Sequence, residues 1–128
     1  MAFPRKKHQR PEHFLQVRSV NRLKDEGVYC FAVPNGGKRD AIDGFNLKCG
    51  GVLKGVADLV IVLNGRVIFV EFKNGNKGVQ SPEQKEFQKN VEALGHPYFI
   101  WRTDEDVKDF IKGIKNEEHQ QVDTYQDF

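Results

Sequence analysis

The stretch Asp58-Leu-Val-Ile-Val-Leu63-Asn64-Gly65-Arg66-Val-Ile-Phe-Val-Glu71-Phe72-Lys73 decides the fold. Two apolar, β-branched runs flank Asn64-Gly65, the dipeptide best suited to the positive φ angles of a two-residue type I′ hairpin turn. If Leu63 pairs with Arg66, counting outward along both strands brings Asp58 opposite Glu71. Cross-strand Cβ atoms lie about 4.5–5.5 Å apart, where two like charges repel. Alternation places Asp58, Val60, Val62, Val67, Phe69, Glu71 and Lys73 on one face, and Leu59, Ile61, Leu63, Ile68, Val70 and Phe72 on the other. Both faces are apolar, which suits a central hairpin covered on two sides better than a surface ribbon.

Two facing carboxylates beside a buried apolar patch call for a compensating positive charge. Lys73 supplies one, roughly 6.6–6.8 Å along the strand from Glu71. The second carboxylate leaves room for a divalent cation, since hard metals such as Mg²⁺ take one or two carboxylates plus waters and substrate phosphate. The plainer alternative is a Glu71–Lys73 ion pair on a solvated strand end, with Asp58 simply opening the hairpin. The apolar face that carries these residues argues against it.

A chain of 128 residues makes one domain with a single core. Its 38% hydrophobic and 30% charged residues are ordinary for a globular protein, and no run of eighteen apolar residues is present to span a membrane. Met1 to Pro11 is basic, but Glu12 and His13 follow where the apolar segment of a signal peptide should be. Cys30 and Cys49 are too few and too far apart for a disulfide scaffold or a zinc site, so reduced thiols in a cytoplasmic protein are expected. The net charge of +2 conceals an asymmetry: residues 117–128 contribute four carboxylates and no Lys or Arg, leaving +6 on residues 1–116. Arg5, Lys6, Lys7 and Arg10 open the chain without an acidic neighbour. A basic body with a basic arm fits a nucleic-acid partner, although a solubilising terminus explains the arm equally well.

Pro11 to Glu26 reads as a helix, with Pro11 in its first turn, Phe14, Val17 and Val20 at helical spacing, and Gly27 as its stop. Glu12 stands off that apolar row, where it either serves a site or complements the helix dipole. Val28 to Val33 is a short strand, halted by the turn cluster Pro34-Asn35-Gly36-Gly37. Lys38 and Arg39 follow in a loop or short helical turn that runs through Phe45 and Leu47 to Cys49. Gly50, Gly51 and Gly55 with Lys54 between them could let backbone amides approach a phosphate, or mark nothing beyond a turn. Beyond the hairpin, Asn74 to Gln80 is a polar loop, and Ser81-Pro82-Glu83-Gln84 is a helix start with Ser81 as N-cap and Gln84 completing a capping box. Phe87, Val91 and Leu94 give that helix its buried stripe, and Gly95 with Pro97 ends it. Tyr98 to Trp101 is a further strand; Thr103 to Asp106 resembles another cap, opening a helix with Val107, Phe110, Ile111 and Ile114 facing inward. From Asn116 nothing is periodic, which predicts a mobile tail. The layout is αβββαβα, an α/β domain around one mixed sheet, divided as a basic arm over 1–11, the domain over 12–115 and an acidic polar tail over 116–128.

These residues resemble a known family. Asp58 followed by Glu71-Phe72-Lys73 looks like the D…ExK signature of the PD-(D/E)xK nuclease superfamily, whose restriction-endonuclease-like αβββαβ core has the same element order. Pro34-Asn35-Gly36-Gly37, Gly51-Val-Leu-Lys-Gly55-Val-Ala-Asp58-Leu59, Val70-Glu71-Phe72-Lys73 and Ser81-Pro82-Glu83-Gln84 together resemble the VRR-NUC family, the virus-type replication and repair nucleases, from about Glu12 to Trp101. Ala57 departs from the pattern, since many members carry proline before the aspartate.

The resemblance implies that Asp58, Glu71, the main-chain carbonyl of Phe72 and, from the first helix, Glu12 bind Mg²⁺, with Mn²⁺ able to substitute. Lys73 would orient or help deprotonate the attacking water, and Gln84 would face the site from the second helix. Lys38, Arg39, Lys54, Arg5, Lys6 and Lys7 are the expected DNA contacts. Family members consisting of this domain alone resemble Holliday-junction resolvases, which implies a homodimeric endonuclease of DNA repair acting on branched DNA. The alternatives are a flap, nick-processing or restriction-like nuclease, and a non-catalytic nucleic-acid-binding module that kept the fold. A glycosidase-like carboxylate pair fits less well, because Lys73 has no part in it.

Overall fold

The hairpin forms in the expected register: Leu63 pairs with Arg66, Ile61 with Ile68 and Leu59 with Val70 in an antiparallel ladder. The computed structural model describes residues 11–34, 44, 46 and 48–126. Its elements run α1 (Pro11–Asp25), β1 (Tyr29–Ala32), β2 (Leu59–Leu63), β3 (Arg66–Phe72), α2 (Pro82–Ala93), β4 (Tyr98–Trp101) and α3 (Asp104–Gln126). The sheet has the order β1-β2-β3-β4, with β1 and β2 joined antiparallel to their neighbours and β4 parallel to β3. A parallel neighbour requires a crossover, and α2 provides it.

The hairpin turn is not type I′. Gly65 has φ 75°, but no non-glycine described residue has positive φ, so Asn64 does not supply the second positive angle that type I′ requires. Glycine at the second central position alone has the sign pattern of a type II turn.

Alternation sends the two faces of the hairpin into two separate clusters. Leu59, Ile61, Ile68, Val70 and Phe72 pack with Leu15 and Leu23 of α1, Trp101 of β4 and Val107 of α3. On the opposite face Ala57, Phe87, Val91 and Tyr98 form a smaller cluster under α2, with Val56, Phe69 and Ile100 against it. Phe69 meets Phe87 edge-on at 5.1 Å between ring centroids, an arrangement aromatic quadrupoles favour.

Some expected positions moved. The buried stripe of α1 is Leu15, Ser19 and Leu23, while Phe14 and Val17 are exposed and Val20 is only partly buried. The stripe was hidden because a serine sits in its middle, whereas Phe14, Val17 and Val20 are apolar throughout. Leu94 is exposed, because it is the C-cap of α2 and the chain turns away there. α3 continues past Asn116 to Gln126, where a tail was expected. Residues 116–126 contain neither Gly nor Pro and several Glu and Gln, so a helix already nucleated by packing propagates through them without an apolar stripe. Glu117 accepts from Arg66 beside the hairpin turn.

Candidate active site

Asp58 precedes the first ladder residue of β2, and its backbone carbonyl accepts from Val33 N at 2.8 Å. Its carboxylate Oδ2 accepts from Phe72 N at 2.9 Å, reaching across to β3. Glu71 is inside β3, buried at 2% exposure, paired with Ile100 of β4. The ladder itself ends at Leu59 and Val70; beyond it the Asp58 side chain, bonded to Phe72 N, turns across to β3 and comes within charge and hydrogen-bond reach of Glu71.

Lys73 lies one residue past β3, with its backbone N–H held by Trp101 O at 3.0 Å. Its Nζ stands 3.8 Å from Glu71 Oε1 and donates to Gln84 Oε1 at 2.9 Å. Gln84 is at the third position of α2, where Ser81 Oγ accepts from its N–H and its own Oε1 accepts from Ser81 N, a capping box with both bonds present. The amide's other end, Nε2, donates to Glu71 Oε1 at 2.7 Å. Gln84 therefore closes the helix and joins Lys73 to Glu71 at once; capping and site contact are not alternatives. Because Oε1 meets two donors and Nε2 a carboxylate, the network fixes which end of the amide is which.

Burial, then the charge and hydrogen bonding of Asp58, push Glu71 from the ordinary 4.5 up to about 8 against the opposing pull of Lys73, with the charge of Glu12 adding least. Glu71 Oε2 is buried with no hydrogen-bond partner when both groups are ionised. A proton on it would be shared with Asp58, the way two crowded carboxylates relieve their repulsion. A hard cation would relieve it too, and a donorless buried oxygen beside a second carboxylate and an ammonium fits that demand.

Glu12, half-buried in the first turn of α1, reaches the pair only through its charge, and among the described residues no three His, Cys, Asp or Glu side chains are grouped as metal ligands. Phe72 stands between the two site residues with its ring in the larger cluster. Lys54 is exposed and pairs with Glu83 of α2 at 3.4 Å. Arg5, Lys6, Lys7, Lys38 and Arg39 lie outside the described residues, as do Asn35 to Gly37 of the turn cluster.

Among the described residues, Gly55 and Gly78 stand where a side chain would collide. Gly55 has φ 88°, and a Cβ there would fall 2.5 Å from the carbonyl carbon of Glu83, so the loop before Asp58 rests directly on the first turn of α2. A Cβ on Gly78 would fall 2.9 Å from Cβ of Lys73, where the following loop folds back. Arg102 Nη1 donates to the carbonyls of Gly75 at 2.6 Å and Gly78 at 2.8 Å, pinning that loop.

Tyr98 was not singled out by sequence. Its hydroxyl accepts from Gln80 Nε2 at 3.3 Å. Burial pushes its phenol up to about 12; the Gln80 bond opposes this, while the charges of Glu71 and Asp58 add to it. Its signal was available in principle, since β4 parallel to β3 sets Tyr98 beside Phe69 on the carboxylate face, but only once the strand order is known.

No family model and no curated protein matches the chain. Solved structures do. One described as a "VRR_NUC domain" superposes with a TM-score of 0.58 at 20% identity, covering 79% of this chain and 94% of that one. Another, a "VRR_NUC domain protein", gives 0.61 at 20% identity over 82% and 85% respectively. Superposition over most of this chain and of both neighbours gives it the fold of these VRR_NUC domain structures, a mixed sheet with flanking helices.

Proposed function

We propose that the protein is a divalent-metal-dependent DNA endonuclease that hydrolyses phosphodiester bonds, acting on branched DNA as a homodimer. The observation that carries this is the facing Asp58–Glu71 pair, with Glu71 Oε2 buried and without a donor beside the Lys73 ammonium. Asp58, Glu71 and the Phe72 carbonyl would hold Mg²⁺ or Mn²⁺, with Glu12 contributing through water. A divalent ion bound there supplies water activation and offsets charge on the phosphoryl oxygens. Lys73, held on Gln84, orients the attacking water and balances the phosphate charge, and Asp58 keeps its place through Phe72 N. As the water oxygen bonds to phosphorus and the bond to the leaving sugar oxygen breaks, the attacking water gives up its proton to solvent and the departing sugar oxygen takes one from solvent, while the Lys73 ammonium, held on Gln84, offsets the charge on the phosphate. A binding module would gain nothing from buried carboxylates that repel phosphate, which favours hydrolysis over binding alone.

A domain with one such site cuts two strands most simply as a symmetric dimer. The test is to incubate labelled duplex, flap, splayed and four-way-junction DNA with the protein and Mg²⁺, Mn²⁺ or EDTA, and to map the products. Cleavage that needs metal and is lost, by at least about 100-fold, in Asp58→Ala and Lys73→Ala while DNA binding persists is the expected result. Unchanged cleavage by Asp58→Ala refutes the assignment, and only monomer in light scattering under catalytic conditions refutes the dimer.

A further inference from the structure

Among the described residues, the sheet face that carries Asp58 and Glu71 is not covered evenly. α2 shields its β3 and β4 side, where Phe69, Tyr98 and Ile100 pack with Phe87 and Val91. On the β1 and β2 side, Tyr29 is 72% exposed, Phe31 49% and Val62 38%. Alternation sets Tyr29 and Phe31 on the same face, and the register pairs them with Val62 and Val60. Cys30 between them turns to the opposite face and packs on the larger cluster. Phe31 is thus one strand across and one side-chain row along from Asp58, roughly 4.7–4.9 Å and 6.6–6.8 Å in the two directions. Tyr29 is one row further out.

We propose that Tyr29 and Phe31 form a stacking platform for unpaired nucleobases next to the carboxylate pair, so that the substrate presents a single-stranded segment flanking the scissile phosphate. This rests on the nuclease reading and supplies what that reading lacks, a part that senses the shape of the DNA. Solvent-facing aromatics on a sheet are a recurring means of binding single strands, because every base has a π face and no sequence is required. A duplex, with its bases already stacked and paired, offers these rings nothing comparable. A second copy of the chain is the competing occupant, but the three exposed side chains present on the order of 300 Å², well below the roughly 800 Å² per partner of a stable interface. The patch is also continuous with the carboxylates, so a nucleotide whose phosphate lies there has its base within reach of Phe31.

The experiment measures binding in EDTA, so no cleavage is involved. Fluorescence anisotropy is recorded with labelled oligothymidine, the same strand carrying abasic sites, and a duplex, for wild type, Tyr29→Leu/Phe31→Leu and Tyr29→Phe. Wild type is expected to prefer oligothymidine over the abasic strand by at least about 5-fold, the lower end of the stacking contribution of one base. The double leucine variant should lose that preference and keep its duplex affinity, while Tyr29→Phe, which retains the ring, keeps the preference. Equal binding of the two single strands by wild type, or an unchanged preference in the double variant, overturns the platform. So does a wild-type dimer that the double variant turns to monomer in analytical ultracentrifugation, which assigns the patch to a second copy. Because the nuclease reading is judged separately by metal-dependent cleavage in Asp58→Ala, failure of one is distinguishable from failure of the other.

Discussion

Replacing Glu71 by glutamine in the metal-free protein should raise its stability at and above neutral pH and leave it little changed in acid. Glu71 stands at about 8 in the folded chain against an ordinary 4.5, so its folded value is raised. Below 4.5 the group is protonated in both states and costs nothing. Between 4.5 and about 8 the unfolded chain has released the proton while the folded chain still holds it. Stability therefore falls as pH rises through this window, by 1.36 kcal/mol per pH unit, and levels off above it. With part of this offset by solvent screening and by Lys73, the full loss is on the order of a few kcal/mol, a large share of the stability of a small domain. Glutamine keeps the acceptor that Gln84 Nε2 uses and cannot ionise, so Glu71→Gln should lack this loss, and its stability advantage over wild type should grow with pH across the same window. Urea unfolding in EDTA at pH 5, 6.5, 8 and 9 measures this directly. Adding Mg²⁺ at pH 8 should then restore stability to wild type and not to Glu71→Gln. Parallel pH curves for the two proteins would refute the buried, proton-sharing carboxylate pair.

Gln84→Ala removes half of the capping box and the bridge between Lys73 and Glu71, so it should cost about 0.5–2 kcal/mol in urea unfolding and lower cleavage as well. Gly55→Ala should destabilise by about 1–3 kcal/mol, more than Gly27→Ala, which has similar positive φ but open space around it; equal losses by thermal melting would contradict the close contact with Glu83. Ser19→Ala should stabilise by about 1 kcal/mol, because Ser19 Oγ is fully buried without a partner, and a loss in chemical denaturation would mean that the hydroxyl is bonded.

The hairpin was legible because its signals agree: Asn64-Gly65 marks the turn, strict alternation sets the faces, and a one-residue slip would have sent every side chain of one strand toward the other cluster. Register then placed Asp58 opposite Glu71 without any tertiary information. Ser81, Pro82 and Gln84 announced α2 by local chemistry alone. What remained hidden depends on partners distant in sequence. The inward side of α1 is set by the sheet it lies on, so a serine can occupy the stripe while a phenylalanine is left outside. The turn type follows from the backbone of Asn64, which can take either sign of φ. Tyr98 joins the carboxylate face only because β4 runs parallel to β3, and the network from Arg102 to the loop after Lys73 spans 24 and 27 residues.

The double use of Gln84 ties the opening of a helix to the assembly of the chemical groups. Opening of the first turn of α2 removes Ser81 from the amide, and with it the restraint on the Lys73 ammonium, without disturbing the larger cluster beneath the other side of the sheet. Amide protons at Ser81 and Gln84 should therefore report, by their exchange rates, the fraction of molecules that is chemically competent, a quantity separate from the fraction that is folded.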